Sequence, residues 1–269
     1  MRIGSLFSGI GGLEMGLEAA IPGAHTVWQV EQADYPRAVL AQHWPNARRY
    51  RYVQSVAADA HTLEPVNLIC GGFPCTDISV AGSGAGIDGG ASGLWWSMLY
   101  IVDVVRPRFV VVENVGALRR RGLRAVLGGL AACGYNAEWS MLSAAQVGAP
   151  HRRERLFIIA DLPNAGGGQL RIEQSGQRGT PATRREGAPI PRVDGPANMG
   201  RPIEPGLGGA SHGLRRWARG TGVEPWEEVP RTADRGPYRA ERLRALGNAV
   251  VPQCAYEVGL RILENWESR

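Results

Sequence analysis

Cys75 and Glu113 are the residues of this chain whose types and placing could do chemistry. Cys75 ends the stretch Leu68-Ile-Cys-Gly-Gly-Phe-Pro-Cys75, a short apolar run that breaks at Gly71-Gly72 and so predicts a buried strand followed by a turn. Glu113 lies 38 residues on, near the end of the apolar run Phe109-Val-Val-Val-Glu-Asn-Val115. In an open parallel sheet, ligands sit outside the carboxyl ends of the strands, so the two side chains would face one crevice. A thiol there is a nucleophile, and a neighbouring carboxyl can protonate or hydrogen-bond whatever it attacks. Pro150-His-Arg-Arg-Glu-Arg155 adds three guanidinium groups at the mouth of a further predicted strand, where they are poor candidates for core.

The elements that must position these groups follow from the same patterns. Arg2 to Leu6 predicts a first strand, then a glycine turn, Phe7-Ser-Gly-Ile-Gly-Gly12, and a helix carrying Leu13, Leu17 and Ile21. Glycines at a strand-to-helix turn let backbone approach a ligand beside the free N–H groups of the helix start. His25 to Val30 predicts a second strand ending at Glu31, twenty residues after Gly11, the place of the acid that holds ribose hydroxyls in nucleotide-binding folds; an adenosine derivative is the expected ligand. Further on, helices are expected over Asp34 to His43, Leu94 to Val105 and Leu118 to Cys133, and strands over Arg49 to Val53, Tyr135 to Leu142 and Leu156 to Ala160. The helix from Leu118 carries Arg119, Arg120, Arg121 and Arg124, a face more often solvated than bound to phosphate. The fold class expected is α/β: a doubly wound, mostly parallel, Rossmann-like sheet with a small irregular domain.

That irregular region has its own composition. Pro163 to Pro230 holds 14 Gly and 9 Pro, which predicts irregular structure. Ile78 to Gly93, with Gly82, Gly84, Gly86, Gly89, Gly90 and Gly93, predicts a closing lid next to the reactive Cys. Order returns near Tyr238: Arg239 to Leu246 as a helical turn, a break at Gly247-Asn248, and a closing helix from Cys254 to Trp266. The expected division is a catalytic domain over 1–162, a recognition region over 163–235, and a C-terminal segment over 236–269 that returns to the catalytic domain.

Composition narrows the classes. The 269 residues are 44% hydrophobic, enough for a large core, and no apolar segment is long enough for a membrane span. Cys70, Cys75, Cys133 and Cys254 form no CxxC pair, which argues against a zinc site or a secreted disulfide framework and for a reducing cytosol. Cys70 reads as core, and Cys133 and Cys254 as structural. All 30 basic residues counted as Lys or Arg are Arg, and the net charge is +5, a mild indication of a polyanionic partner. No metal is expected.

In order and spacing, these motifs resemble the DNA cytosine methyltransferases that modify carbon 5, above all the short phage and prophage-borne members. The resemblance covers residues 1–160 and about 236–265. It implies that S-adenosyl-L-methionine is held by Phe7, Gly9, Ile10, Gly11, Gly12, Glu31, Gln32, Pro74, Leu94, Asn248 and Ala249, and leaves as S-adenosyl-L-homocysteine. It implies a catalytic set of Cys75, Glu113, Arg153 and Arg155, and a substrate surface of Phe73, Pro74, Ser79, Asn114, Val115, Arg153 and Arg155. The partner would be double-stranded DNA, met by a cytoplasmic monomer, with Arg215, Arg216 and Arg219 as candidate contacts to phosphate or guanine. A target cytosine would be flipped out at a cost of about a few kcal/mol. The Cys75 thiolate would attack carbon 6, with Glu113 at ring nitrogen 3 and Arg153 on the exocyclic oxygen or the phosphate; carbon 5 would take the methyl group before the thiol is eliminated.

Three departures from the family pattern stand out, one of them the short segment between the two matching blocks, where the family's bracing motif is not found before Tyr238. Where the family places an Asp for the adenine amino group, this chain reads Tyr52-Val-Gln-Ser-Val56, with Asp59 the nearest acid; and Ala91 stands where an Arg often sits in the lid. An RNA cytosine-5 methyltransferase, a relative using a modified alkyl donor, a catalytically dead DNA-binding relative and a nicotinamide-dependent oxidoreductase are the other readings. Intact Cys75, Glu113 and Arg153 weigh against the third, and the last leaves Cys75 beside Glu113 unexplained.

Overall fold

An apolar run flanked by helical patterns is stable as a strand only when both its faces are covered. In the computed structural model, which describes residues 1–74, 93–149, 151–163 and 237–267, that is what happens to β1 (Arg2–Leu6), β2 (His25–Val30), β4 (Leu68–Gly71) and β5 (Phe109–Val115). With the short β3 (Arg48–Tyr50), β6 (Asn136–Ser143) and β7 (Glu154–Asp161) they form one seven-stranded sheet in the order β3-β2-β1-β4-β5-β7-β6. The first five strands are parallel; β7 runs antiparallel to both β5 and β6. The expected doubly wound, mostly parallel sheet is therefore present, and its strand order reverses between β1 and β4.

Alternation along the strands builds two cores. Val110 and Val112 of β5, Ile69 of β4 and Ile158 of β7 face α3 (Val53–Ala58), α4 (Leu94–Val105) and α6 (Leu123–Ala132), meeting Val56, Met98, Ile101 and Val126. Phe109, Val111, Cys70 and Phe157 point the other way, onto α1 (Gly12–Ala20) and α8 (Pro252–Glu267), where they meet Leu17, Ala255, Val258 and Ile262. The C-terminal segment thus covers one face of the sheet. By the same alternation Glu113, two residues past Val111, faces the α1 and α8 side.

Several boundaries differ from the sequence reading. The third strand stops at Tyr50, and Val53, expected in it, opens α3, where Val53 and Val56 are buried one turn apart. The long helix expected from Leu118 is two, α5 (Leu118–Arg121) and α6, because the backbone leaves the helical region at Gly122 (φ −164°, ψ −1°), and Leu118 and Leu123 on either side are both buried. Helix α7 (Arg239–Asn248) runs through the expected Gly247-Asn248 break, and α8 starts at Pro252, whose missing N–H costs nothing in a first helical turn. The recognition region from Asn164 to Arg235, and the lid from Ile78 to Ser92, lie outside the described residues.

Helix α1 approaches α8 closely enough to exclude side chains. A Cβ at Gly16 would lie 2.2 Å from the Pro252 carbonyl oxygen and 2.5 Å from the Ala255 Cβ, whereas one at Gly128 in α6 would meet nothing within 4 Å. Inside an open helix Gly→Ala stabilises by about 0.5–1 kcal/mol, but forcing atoms into a packed contact costs about 1–3 kcal/mol. The two substitutions therefore have opposite expected signs in urea unfolding, Gly128→Ala raising the midpoint and Gly16→Ala lowering it.

Candidate active site

A cavity of about 750 Å³ opens at the carboxyl edge of the sheet, across the point where strand order reverses. Each of the five parallel strands contributes what immediately follows or ends it. These are Phe7 and Gly9 after β1, Glu31 to Pro36 after β2, Arg51, Val53 and Gln54 after β3, Gly72 to Pro74 after β4, and Glu113 to Val115 closing β5. Because β7 is antiparallel, its starting end reaches the same edge and brings Arg155 to the wall. Leu94 from α4 and Glu241, Arg244, Ala245, Gly247 and Asn248 from α7 complete it.

One half of the cavity is organised by Glu31. Its carboxylate accepts the Gly9 N–H at 2.9 Å and the Ala33 N–H at 2.8 Å, so both oxygens are fixed in place by backbone. Each still has a lone pair to offer a hydroxyl group. Of the residues expected to hold the cofactor, Phe7, Gly9, Glu31, Gln32, Pro74, Leu94 and Asn248 line the cavity. Ile10, Gly11, Gly12 and Ala249 do not. A Cβ at Gly11 (φ +88°) would overlap the Trp44 ring and one at Gly12 would come 2.3 Å from the Val250 carbonyl oxygen, so these two glycines serve close packing around the cavity rather than its wall. The Ala249 carbonyl accepts a hydrogen bond from Arg153 at 2.6 Å.

The other half is organised by Glu113. It is buried, with Arg155 Nε 3.1 Å from its Oε1. Gly72 of the neighbouring strand end makes room for it, since a Cβ there would stand 2.7 Å from Glu113 Oε2. Burial pushes the Glu113 carboxyl up to about 7, against the opposing pull of Arg155 and then Arg153. Asn114 points to the opposite face and donates from Nδ2 to the Phe73 carbonyl at 2.8 Å, tying the end of β5 to the turn after β4. The described chain stops at Pro74, on the cavity wall, so Cys75 and Ser79 lie just outside the described residues.

Arg153, expected on the exocyclic oxygen or the phosphate, is held by backbone beside the site. Its guanidinium donates from Nη2 to the carbonyls of Gly247 at 2.7 Å and Ala249 at 2.6 Å, and it is Arg155, two residues on, that meets Glu113. Its backbone adopts a positive φ of 25°, sparsely populated by residues other than glycine. The sequence reading missed Asp34, Tyr35, Arg51, Gln54, Glu241 and Arg244 as wall residues. The first four follow directly on β2 and β3, a signal that was available; the two on α7 depend on tertiary packing. Asp59, the acid nearest the family position, is exposed beyond the end of α3 and away from the wall, whereas Gln54 is on it. Cys70 and Cys254 are buried, and burial pushes both thiols up, Cys254 to about 12, as inert core thiols require.

A second carboxyl, Glu14, is fully buried behind the glycine turn, 3.5 Å from Gln29 Nε2, and burial pushes it up to about 7. Glu14 and Glu113 both move up from 4.5, so the folded protein retains protons there that the unfolded chain releases. Their contribution to stability is whole below about pH 4.5, falls as pH rises through about 7, and is level above that. Glu14→Gln, neutral at every pH, should lessen the loss of urea stability between pH 5 and 8 by on the order of 3 kcal/mol. An unchanged difference between those two midpoints would mean that Glu14 is ionised in the folded protein.

A doubly wound sheet whose reversal point holds a backbone-fixed carboxylate and a second, buried carboxyl has its cavity where open α/β folds place their ligands. A C-5 cytosine-specific DNA methylase family model matches residues 1–174, and the chain belongs to that family. It is 31% identical over 170 residues to the Type II methyltransferase M2.BsuMI of Bacillus subtilis, covering 60% of this chain and 42% of that protein. To the Type II methyltransferase M.NgoPII of Neisseria gonorrhoeae it is 34% identical over 170 residues, covering 59% and 47%. The chain thus spans less than half the length of either relative. Among solved structures, a Spodoptera frugiperda DNMT2 mutant has 20% identity and a TM-score of 0.49, covering 64% of this chain and 53% of that one.

Proposed function

We propose that the chain methylates carbon 5 of cytosine in double-stranded DNA. The observation that carries this reading is the pair of Glu113 and Arg155, buried at the wall of the cavity whose opposite half is built on Glu31. The Glu31 half suits an adenosine group, with an aromatic ring at Phe7, open backbone at Gly9 and carboxylate oxygens positioned for vicinal hydroxyls. Gln54, rather than a carboxylate, is the wall residue nearest in sequence to the family's adenine-binding position, and its amide oxygen can accept from an exocyclic amino group. S-adenosyl-L-methionine held there supplies the methyl group.

The Glu113 half suits the base. A neutral pyrimidine resists addition at carbon 6 until nitrogen 3 is protonated or hydrogen-bonded. A carboxyl whose proton is retained to about pH 7 can do this, while Arg155 orients the carboxyl and reaches the exocyclic oxygen. Since Arg153 is engaged with the carbonyls of Gly247 and Ala249, Arg155 takes the base-contacting role and Arg153 a positioning one. Cys75, next after the wall residue Pro74, is the nucleophile in this reading. Its thiolate adds to carbon 6, carbon 5 gains the methyl group, and loss of the carbon 5 proton lets the carbon–sulfur bond break. Residues 163–235 would carry most base contacts, and 236–269 would close the catalytic domain.

The test is transfer of label from S-adenosyl-L-methionine to duplex DNA. Cys75→Ser should abolish it, and Glu113→Gln should lower kcat/KM by about 10²–10⁴-fold. Because the protonated form of Glu113 is the donor, kcat/KM of the unaltered protein should fall as pH rises through about 7, a limb absent from Glu113→Gln. Full transfer by Cys75→Ser would refute the mechanism.

A further inference from the structure

Several arginines of the described residues are paired with carboxylates at either edge of the sheet, and one cluster past the end of β5 is not. At the amino edge, Arg2 pairs with Glu64, Arg106 with Asp103 at 3.1 Å and Arg108 with Asp161 at 3.7 Å. At the carboxyl edge, Arg51 and Arg155 pair with Asp34 and Glu113 in the cavity wall. Beyond them Arg119, Arg120, Arg121 and Arg124 are all exposed and make no ion pair or side-chain hydrogen bond among the described residues. From Asn114 to Ala137 the chain contains no Asp or Glu at all.

The fold sets these four groups beside the candidate site. Val115 is on the cavity wall, and α5 begins three residues later, held by Leu118, which is fully buried in the core shared with α4 and α6. The turn at Gly122 starts α6 with Arg124 in its first turn, so all four arginines follow within nine residues of the wall residue Val115. With its one apolar residue inward, α5 presents three consecutive guanidinium groups around its outer side. On the opposite wall exposed Arg244 lines the cavity, accompanied by one acid, Glu241. The α5 side is the more strongly positive of the two.

Unpaired like charges held this close repel one another, a cost with no return inside the described fold. They suit a partner bearing regularly spaced negative charge. Duplex DNA carries one charge per about 1.7 Å of its axis, and exposed guanidinium groups release its condensed counterions on contact. We propose that Arg119, Arg120, Arg121 and Arg124 form a phosphate-binding surface that seats the duplex on the β5–α5 side of the crevice. This inference rests on the DNA-methylating reading above. It gives the strand flanking the target base a backbone contact that does not depend on the recognition segment.

The test measures binding of the full chain to a short cytosine-containing DNA duplex between about 50 and 200 mM salt. Replacing all four by Gln should reduce the magnitude of the negative slope of log K against log salt by about 3.6 and weaken binding about tenfold to a hundredfold, since each phosphate contact contributes about 0.9 to it. Replacing all four by Lys should restore the slope. Arg106→Gln, at the opposite edge, should leave it unchanged, and transfer at saturating duplex should survive in the Gln variant. If the Gln variant kept the slope of the unaltered protein while still binding and methylating the duplex, this surface would be wrong and the catalytic reading would stand. If the unaltered protein bound neither duplex nor S-adenosyl-L-homocysteine, both would fall. Tighter binding to an RNA hairpin with the same number of phosphates would overturn the choice of partner.

Discussion

The site depends on keeping the Glu113 carboxyl inside the sheet edge without leaving it stranded. A carboxylate taken out of water loses several kcal/mol of hydration, which only close cations or donors offset. Here the compensation is set by strand direction. In a wholly parallel sheet the neighbour of β5 would reach the carboxyl edge with its last residues. Because β7 is reversed, its second residue, Arg155, arrives there instead, opposite Val115 and diagonal to Glu113 on the same face. The reversal of one strand therefore delivers the counter-charge, and the absence of a side chain at Gly72 leaves the carboxyl the volume it occupies.

The antiparallel strand also explains the place of Arg153. Two residues before Arg155, it lies just past the sheet edge, where α7 ends. The last carbonyls of a helix lack intrahelical partners and carry partial negative charge, so a guanidinium shared between Gly247 and Ala249 satisfies them and the helix dipole together. The bond joins segments 94 and 96 residues apart in sequence. It fixes the C-terminal segment, which supplies one wall of the cavity, to the strand that supplies the other. Arg153 and Arg155 have one spacing motif and two tasks, one holding backbone and one facing the buried carboxyl.

Much of this was legible in the sequence because burial on two faces leaves a plain mark. β4 and β5 are apolar runs, and Glu31 and Glu113 follow from where β2 and β5 stop. The residues whose surroundings could not be read share a different property: their contacts come from neighbours far along the chain. A glycine that lets backbone approach a ligand and one that lets helices touch look alike, so Gly9 and Gly12 could not be told apart until Val250 was seen against the latter. Arg153 and Arg155 likewise differ only in which of them lies beside Glu113. Gly122 gave no warning either, since a single glycine inside an apolar helical pattern is ordinarily tolerated.

The two raised carboxyls show why a perturbed proton affinity does not by itself mark a catalytic group. Glu14 and Glu113 are both carried to about 7, and burial is the first cause in each. Glu14 has no cation beside it among the described residues; its surroundings are Ser5, Ser8 and Gln29, all buried, and it lies off the cavity wall. A carboxyl so enclosed has no open side for a ligand, and its neighbours Ser5, Ser8 and Gln29 belong to β1, the turn after it and β2. Glu113 combines the same burial with a guanidinium at contact and an open wall. That combination lets a group hold its proton near neutrality and still give it to something from outside. What separates the catalytic candidate from the structural acid is therefore access together with a charged partner, and both come from the sheet edge at which β5 ends and β7 begins.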